Sequence, residues 1–417
     1  MSIIQVRGLQ PLSGEIKIQG SKNAVLPIMA ASILHKGITI LTNVPLIQDV
    51  SCMMGILEYL GCVCTINGHT LKIDATNLSM TQIPDDKVKE MRSSIVLLGA
   101  LLGRSKDALT YYPGGCSIGE RPIDLHLYAL ECMGAKIREE DERIEAVTAG
   151  LVGGDIRFAI PSVGATENAL LGAVAARGTT TITGAAKEPE IEELCKFLVA
   201  MGAEISGIGT GRLTVHGGKA LHDVEYEICG DRIVAGTYLG AVMAAGGTVK
   251  LLNVPVHHLE AALTVFEEMG ASIVRTSDSL EITCNKTLKE CHISTAPYPE
   301  FPTDLQSIVM AVMAATADYY GTVRENVFEA RLETAHELNK LGADVVTDKN
   351  LAIIKGVYPL TGARVTARDL RGGAALVIAG LAAEGITEID KCHYIERGYE
   401  DICRDLRQLG AKIEYQA

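Results

Sequence analysis

The sequence predicts an α/β protein of two domains, each built from three copies of one α/β unit of roughly 70 residues, and three periodic features carry that prediction. A Leu/Met-Gly-Ala/Cys turn recurs at Leu60-Gly61-Cys62, Met133-Gly134-Ala135, Met201-Gly202-Ala203, Met269-Gly270-Ala271, Leu341-Gly342-Ala343 and Leu409-Gly410-Ala411. Its glycines are 73, 68, 68, 72 and 68 residues apart by subtraction. A second glycine, in Gly37-Ile38, Gly178-Thr179, Gly247-Thr248, Gly321-Thr322 and Gly385-Ile386, comes between 21 and 25 residues before that turn. Finally, the stretches 168–176, 235–245 and 373–383 are rich in Ala, Gly and Leu.

Each feature assigns one element. Glycine just past a helix end, followed by apolar alternation as in Lys136-Ile137 or Asp344-Val345-Val346, is a helix C-cap leading into a strand. The earlier glycine opens a β-branched strand, and the interval leaves room for that strand, a loop and a helix of about three turns. The second unit has Ala108-Leu109-Thr110-Tyr111-Tyr112 in place of the opening glycine. Small-residue helices that are apolar nearly all round are buried helices. Each unit therefore reads as a buried helix, a strand, an outer helix and a β-hairpin. A solenoid is the competing layout for repeats; the missing polar end caps and the long repeat favour two compact pseudo-threefold domains.

Length and composition agree with this. At 417 residues, with 47% hydrophobic and 21% charged residues, the chain is globular and too long for one ordinary core. No apolar run approaches the ~18 residues of a membrane span. The start Met1-Ser2-Ile3-Ile4-Gln5-Val6-Arg7 lacks the basic region and apolar stretch of a signal peptide, so a cytoplasmic protein is expected. Eleven cysteines, none in C-x2-C spacing, fit reduced thiols rather than a zinc site; no metal and no cofactor are expected. The net charge of -13 argues against nucleic acid but leaves room for a small anion held by a few focused arginines.

Chemistry concentrates in short segments. Residues 113–126 read Pro113-Gly114-Gly115-Cys116-Ser117-Ile118-Gly119-Glu120-Arg121-Pro122-Ile123-Asp124-Leu125-His126, an exposed loop by its Pro and Gly content. A nearby cation such as Arg121 favours thiolate at Cys116; the alternative is a loop cysteine of no consequence. Gly20-Ser21-Lys22-Asn23-Ala24 opens a helix where backbone N–H groups and a lysine suit an anion, although lysine at a helix start is often plain surface. Arg92, Arg232, Arg331, Arg371 and Arg397 sit beside turn residues or carboxylates. A planar guanidinium there suits phosphate or carboxylate, while a solvated ion pair is the ordinary reading of any single one. Phe301-Pro302-Thr303-Asp304 holds a lone carboxylate where a general base can be kept still. Glu188-Pro189-Glu190 is an acidic corner or simply a helix start.

Taken in order, these segments resemble the UDP-N-acetylglucosamine enolpyruvyl transferases. The resemblance also runs through Ser162-Val163-Gly164-Ala165-Thr166, Asp231-Arg232-Ile233, Val327-Phe328-Glu329, Asp369-Leu370-Arg371 and Arg397-Gly398-Tyr399. It implies the two-domain inside-out α/β barrel of the enolpyruvyl transferase fold, with the active site between the domains. It places residues 22–229 in one domain, carrying the Cys116 loop, and 1–21 with 230–417 in the other. The implied reaction moves the enolpyruvyl group of phosphoenolpyruvate to the sugar 3-hydroxyl through a tetrahedral ketal, with release of phosphate, as the first committed step of peptidoglycan synthesis.

By that similarity Lys22, Arg121 and Arg397 would hold the phosphate of phosphoenolpyruvate, with Arg331 and Arg371 placed for its carboxylate. Asn23, Arg92, Arg121, Pro122, Ile123, Asp124, Leu125, Ser162, Val163, Gly164, Asp304 and Val327 would contact UDP-N-acetylglucosamine. Cys116 would donate the proton to the methylene carbon, and would be the thiol that fosfomycin alkylates in this family. Asp304 would take the proton of the sugar hydroxyl. The partners implied are these two small molecules, with no nucleic acid, no membrane insertion and no obligate protein partner.

The chain also departs from the family pattern. Gly230 and Val234 stand where the family usually has proline and glutamate. Ala330 and Leu332-Glu333-Thr334 replace a common Asn and Phe-Met-His, and Gln48, Ile160 and Pro161 differ from some better-known members. Two rival readings are a 3-phosphoshikimate enolpyruvyl transferase, against which the Pro-Gly-Gly-Cys loop and the Ser162 turn argue, and a non-catalytic UDP-sugar-binding paralog. The latter should have lost some of Lys22, Cys116, Asp304 or Arg397, and all four are present.

Overall fold

The computed structural model describes residues 3–114, 118–119 and 121–416. It divides into two compact units. An inserted unit runs from Gly20 to Cys229. A terminal unit comprises the chain up to Gln19 and from Gly230 onward, together with Ile118 and Gly119.

The inserted unit holds three sheets around buried helices. The helix Lys22–Ala31 leads to strand Ile38–Thr42, helix Gln48–Tyr59 and the hairpin Val63–Asn67/Thr70–Asp74. This is the order read from the sequence. Strand Val224–Glu227 joins Ile38–Thr42 in parallel, while the hairpin joins it antiparallel. The second sheet, Asp107–Tyr111 with Arg143–Val147 and Lys136–Glu140, forms without the opening glycine because Lys106 itself takes the left-handed conformation, φ +63°, at the end of helix Leu97–Ser105. The third combines Asp155–Arg157, Gly178–Thr183, Arg212–Gly217 and Glu204–Ser206. The helices Lys22–Ala31, Leu97–Ser105 and Val163–Ala175 form the centre, buried almost throughout.

The terminal unit repeats the plan. Helices Arg232–Ala245, Gln306–Ala314 and Leu370–Leu381 pack against one another and are buried on nearly every side. Burial all round is what their Ala-, Gly- and Leu-rich composition demands. Strand Gly247–Leu252 pairs in parallel with Leu12–Lys17 and antiparallel with Ser279–Cys284. The last sheet closes differently from a simple tandem repeat: strand Ile3–Arg7 lies between Ile386–Asp390 and Lys412–Gln416, antiparallel to both. The first strand of the chain thus fills the place a return strand takes elsewhere.

All six Leu/Met-Gly turns put their glycine at positive φ, from +82° at Gly342 to +112° at Gly270. Non-glycine residues seldom adopt that conformation, which is why glycine recurs there. Among the described residues, no helix is long and apolar enough to cross a membrane.

Candidate active site

In the terminal unit three helix starts bring charged residues together. Asp304 lies in the turn Thr303–Leu305 that leads into helix Gln306–Ala314. Its carboxylate accepts from Arg331 Nη2 at 2.5 Å and from Arg371 Nη2 at 3.3 Å, although the three residues lie 27 and 67 positions apart. Arg331 also donates Nη1 to the Thr303 carbonyl at 2.8 Å. Both arginines are buried, at 5% and 4% exposure. Burial by itself would push the Asp304 carboxyl up. Arg331 and Arg371, helped by Arg232, outweigh it and hold the group well below the usual carboxylate range. Two buried donors, Arg331 Nε and Arg371 Nη1, have no hydrogen-bond partner among the described residues. Orphaned guanidinium nitrogens beside a carboxylate suit a second, incoming anion.

Neighbouring groups hold this cluster still. The Glu325 carboxylate accepts from Thr303 Oγ1 at 2.9 Å, Thr295 Oγ1 at 2.9 Å, Val327 N at 2.7 Å and Phe328 N at 3.0 Å. It thereby ties the Asp304 turn to the segment leading to Arg331. Val327 remains 40% exposed. Tyr399 is buried, with its hydroxyl 2.8 Å from Thr237 Oγ1 and its ring 5.9 Å from the Arg371 guanidinium. Arg397, half-buried, directly follows the short helix His393–Glu396. The Ile118 carbonyl accepts from Ala330 N at 3.3 Å. Cys116 lies outside the described residues.

The inserted unit gathers a second set. Ser21 caps helix Lys22–Ala31 by accepting from Ala24 N, and Lys22 pairs with Asp49 at 2.8 Å. Pro27 inside the helix removes the N–H that would bond the Asn23 carbonyl, so Asn23 keeps an acceptor outside the helical ladder. Arg92 Nη2 donates to the Arg121 carbonyl. Arg121, Pro122 and Asp124 are exposed, Leu125 is half-buried and Ile123 is buried, at the start of helix Asp124–Cys132. Ser162 caps helix Val163–Ala175, and a Cβ on Gly164 would stand 2.7 Å from His126 Cε1. His126 Nδ1 accepts from Asn168 Nδ2 at 2.8 Å. Burial first, then Arg92 and Arg121, push the imidazole down to about 3, so it is neutral at pH 7. Buried Glu167 is pushed up to about 8 by burial, then by Glu190 and Glu188, against the pull of Arg121.

The family model described as EPSP synthase (3-phosphoshikimate 1-carboxyvinyltransferase) matches residues 6–406. The chain belongs to the EPSP synthase family of enolpyruvyl transferases. Among curated members, it is 44% identical over 99% of both chains to the "UDP-N-acetylglucosamine 1-carboxyvinyltransferase 2" of Caldanaerobacter subterraneus subsp. tengcongensis. It is also 44% identical, over 98% of both chains, to the "UDP-N-acetylglucosamine 1-carboxyvinyltransferase" of Acinetobacter baylyi. Among solved enolpyruvyl transferases, NikO from Streptomyces tendae superposes with a TM-score of 0.90 at 25% identity, covering 100% and 99% of the two chains. The EPSP synthase from Acinetobacter baumannii shares the fold at a TM-score of 0.77, covering 100% of both chains at 18% identity.

In this enolpyruvyl transferase Arg232, His126 and Tyr399 stand inside the sequence motifs, but nothing local marks a role for them, and Asp49, Glu167 and Glu325 carry no local signal at all. One departure gains a physical account. At Gly230, where the family usually has proline, a Cβ would stand 1.9 Å from the Asn253 carbonyl oxygen, so this backbone leaves room only for glycine. Glu188-Pro189-Glu190 is a helix start, with Pro189 opening helix Pro189–Ala200.

Proposed function

We propose that this chain transfers the enolpyruvyl group of phosphoenolpyruvate to the 3-hydroxyl of UDP-N-acetylglucosamine, releasing phosphate, in the cytoplasm and in service of peptidoglycan synthesis. Support for the acceptor comes from the full-length similarity to proteins that carry that name. The observation that carries the chemistry is the Asp304 carboxylate clamped by Arg331 and Arg371, with a buried donor on each arginine left over.

The mechanism follows from that clamp. The carboxylate of phosphoenolpyruvate takes the left-over donors of Arg331 and Arg371 and shares their positive charge with Asp304. Asp304 then loses charge stabilisation, its pKa rises toward the ordinary carboxylate range, and it becomes the base for the sugar hydroxyl. Cys116 gives a proton to the methylene carbon, the hydroxyl oxygen adds to the neighbouring carbon, and a tetrahedral ketal forms. Phosphate then leaves and the new methyl group loses a proton, which regenerates the carbon–carbon double bond as the enol ether of the sugar. Lys22, Arg121 and Arg397 serve the phosphate, where preorganised cations stabilise developing charge. Asn23, Arg92, the stretch Arg121 to Leu125, the Ser162-Val163-Gly164 turn and Val327 serve the nucleotide sugar.

The test is phosphate release from phosphoenolpyruvate with each acceptor in turn. Release with UDP-N-acetylglucosamine and none with shikimate 3-phosphate is expected. The reverse pattern, or release with neither, overturns the proposal.

A further inference from the structure

Gln19 stands just beyond strand Leu12–Lys17 and has no place in any motif, yet it touches both of its flanks in the terminal unit. Its backbone carbonyl accepts from Asp231 N at 2.9 Å. Asp231 in turn caps helix Arg232–Ala245, accepting from Ile233 N at 2.8 Å and Val234 N at 3.0 Å. The Gln19 side chain reaches across 379 positions of sequence to donate Nε2 to the Gly398 carbonyl at 3.0 Å. Its Oε1 accepts from Glu400 N at 2.9 Å. The amide therefore brackets Tyr399 as a neighbouring strand's peptide group would, with one donor and one acceptor set toward residues on either side. Tyr399 is the buried ring beside Arg371, and Arg397 immediately precedes the bracketed turn.

We infer that Gln19 is a positioning residue. Its side-chain amide fixes the Arg397-Gly398-Tyr399 turn, and through it the guanidinium groups that take the phosphoenolpyruvate anion. This rests on the function proposed above. The chemistry of the amide makes the inference specific. Methionine has similar length and neither bond. An ionised glutamate keeps the acceptor for Glu400 N but sets a bare oxygen against the Gly398 carbonyl. A protonated glutamic acid again offers one O–H donor and one acceptor, the same pattern as the amide.

The experiment compares wild type, Gln19→Met and Gln19→Glu by phosphate release from pH 5 to 8.5, with hydrogen exchange measured on the segment 396–401. Gln19→Met should raise the KM for phosphoenolpyruvate about 10-fold at every pH, leave the KM for UDP-N-acetylglucosamine within about twofold, and speed exchange at the Glu400 amide. Gln19→Glu should match or exceed that loss at pH 8. It should recover to within about threefold of wild type near pH 5.5, where a half-buried carboxyl facing a carbonyl regains its proton. Asp231, Arg232, Arg397, Glu400 and Arg404, which lies 3.7 Å from Glu400, face the same corner. They are present in all three proteins, so the wild-type profile accounts for their titration. Equal KM values for phosphoenolpyruvate in Gln19→Met and an active wild type overturn the inference while the proposed function stands. If the wild type itself releases no phosphate, exchange decides: unchanged protection of 396–401 in Gln19→Met overturns the clamp.

Discussion

The two units start a buried helix with the same backbone device and finish it with different chemistry. In the inserted unit Gly20 lies so close to Asn43 that a Cβ would stand 1.8 Å from its carbonyl oxygen. In the terminal unit a Cβ on Gly230 would stand 1.9 Å from the Asn253 carbonyl oxygen. Both asparagines take positive φ, +55° and +59°. Asn43 donates its side-chain N–H to the Ile228 carbonyl at 2.7 Å, as Asn253 does to Ile18 at 2.9 Å. The next residue caps the helix and a cation follows, Ser21-Lys22 in one and Asp231-Arg232 in the other. Serine is a neutral cap, so the positive helix end stays available to an anion. Aspartate cancels that end internally, and the arginine beside it adds to the field around Asp304. One backbone solution thus opens a helix with a neutral cap in one unit and with a self-neutralising, charged cap in the other.

The largest test of that contrast sets Asp304 against Asp49. Asp304→Asn should cut turnover by ~10²–10⁴-fold and cost roughly 3–5 kcal/mol, because two buried arginines lose their counter-charge. Asp49→Asn removes the carboxylate paired with Lys22 and should cost about tenfold in turnover, the price of misplacing one cation. Steady-state phosphate release and urea unfolding of both variants measure this. Equal losses would erase the distinction.

Acid and base should then strip stability from the units in different windows. Asp304, held low in the folded state, contributes stability that is full above about pH 4, the unfolded value, and lost only as pH falls further. In the inserted unit two groups act oppositely. Glu167, raised to about 8, gives up stability as pH climbs from ~4.3 toward 8. His126, lowered to about 3, gives it up as pH falls below ~6.5. Their slopes cancel between about 4.3 and 6.5, leaving a decline from 6.5 to 8 on the order of 2 kcal/mol. Glu167→Gln should abolish that decline in urea midpoints measured across pH; a slope that survives would place its origin elsewhere.

Smaller effects should come from the shared device. Gly20→Ala and Gly230→Ala should each destabilise by about 1–3 kcal/mol in denaturant midpoints, and by similar amounts if the two starts are equivalent. Smallest of all, Ser21→Ala should lose about 1 kcal/mol and Asp231→Ala about 2, since the aspartate carries two bonds and a charge. Ser21→Asp should raise the KM for phosphoenolpyruvate a few-fold by neutralising the helix end near Lys22. An unchanged KM would remove the electrostatic reading of the cap.

Legibility followed the range of the interaction. The glycine turns, the opening strands and the buried helices could be read directly, because φ restriction, alternation and all-round apolarity act between near neighbours in the chain. So could Lys22, Asp304, Arg331, Arg371 and Arg397 as candidates, since turn residues and ordered motifs mark them. Glu325 and Asp49 were silent: a single carboxylate in a sequence says nothing about whether threonine hydroxyls or a lysine will meet it. The last sheet was misread in part for a similar reason, as nothing in Ile3–Arg7 tells that it will lie between two strands from the far end of the chain.

By itself, then, the sequence determined the repeated α/β plan, the positions that must be glycine, and which charged residues were worth watching. Tertiary structure decided which of them meet. Asp304 joins Arg331 and Arg371, Gln19 reaches Gly398 and Glu400, and Glu167 shares its burial with Glu190. Local conformation is set by sterics within a few residues, whereas the state of a charged group depends on its desolvation and on every neighbour brought within a few ångströms by packing. That environment exists only once distant helix starts are stacked side by side.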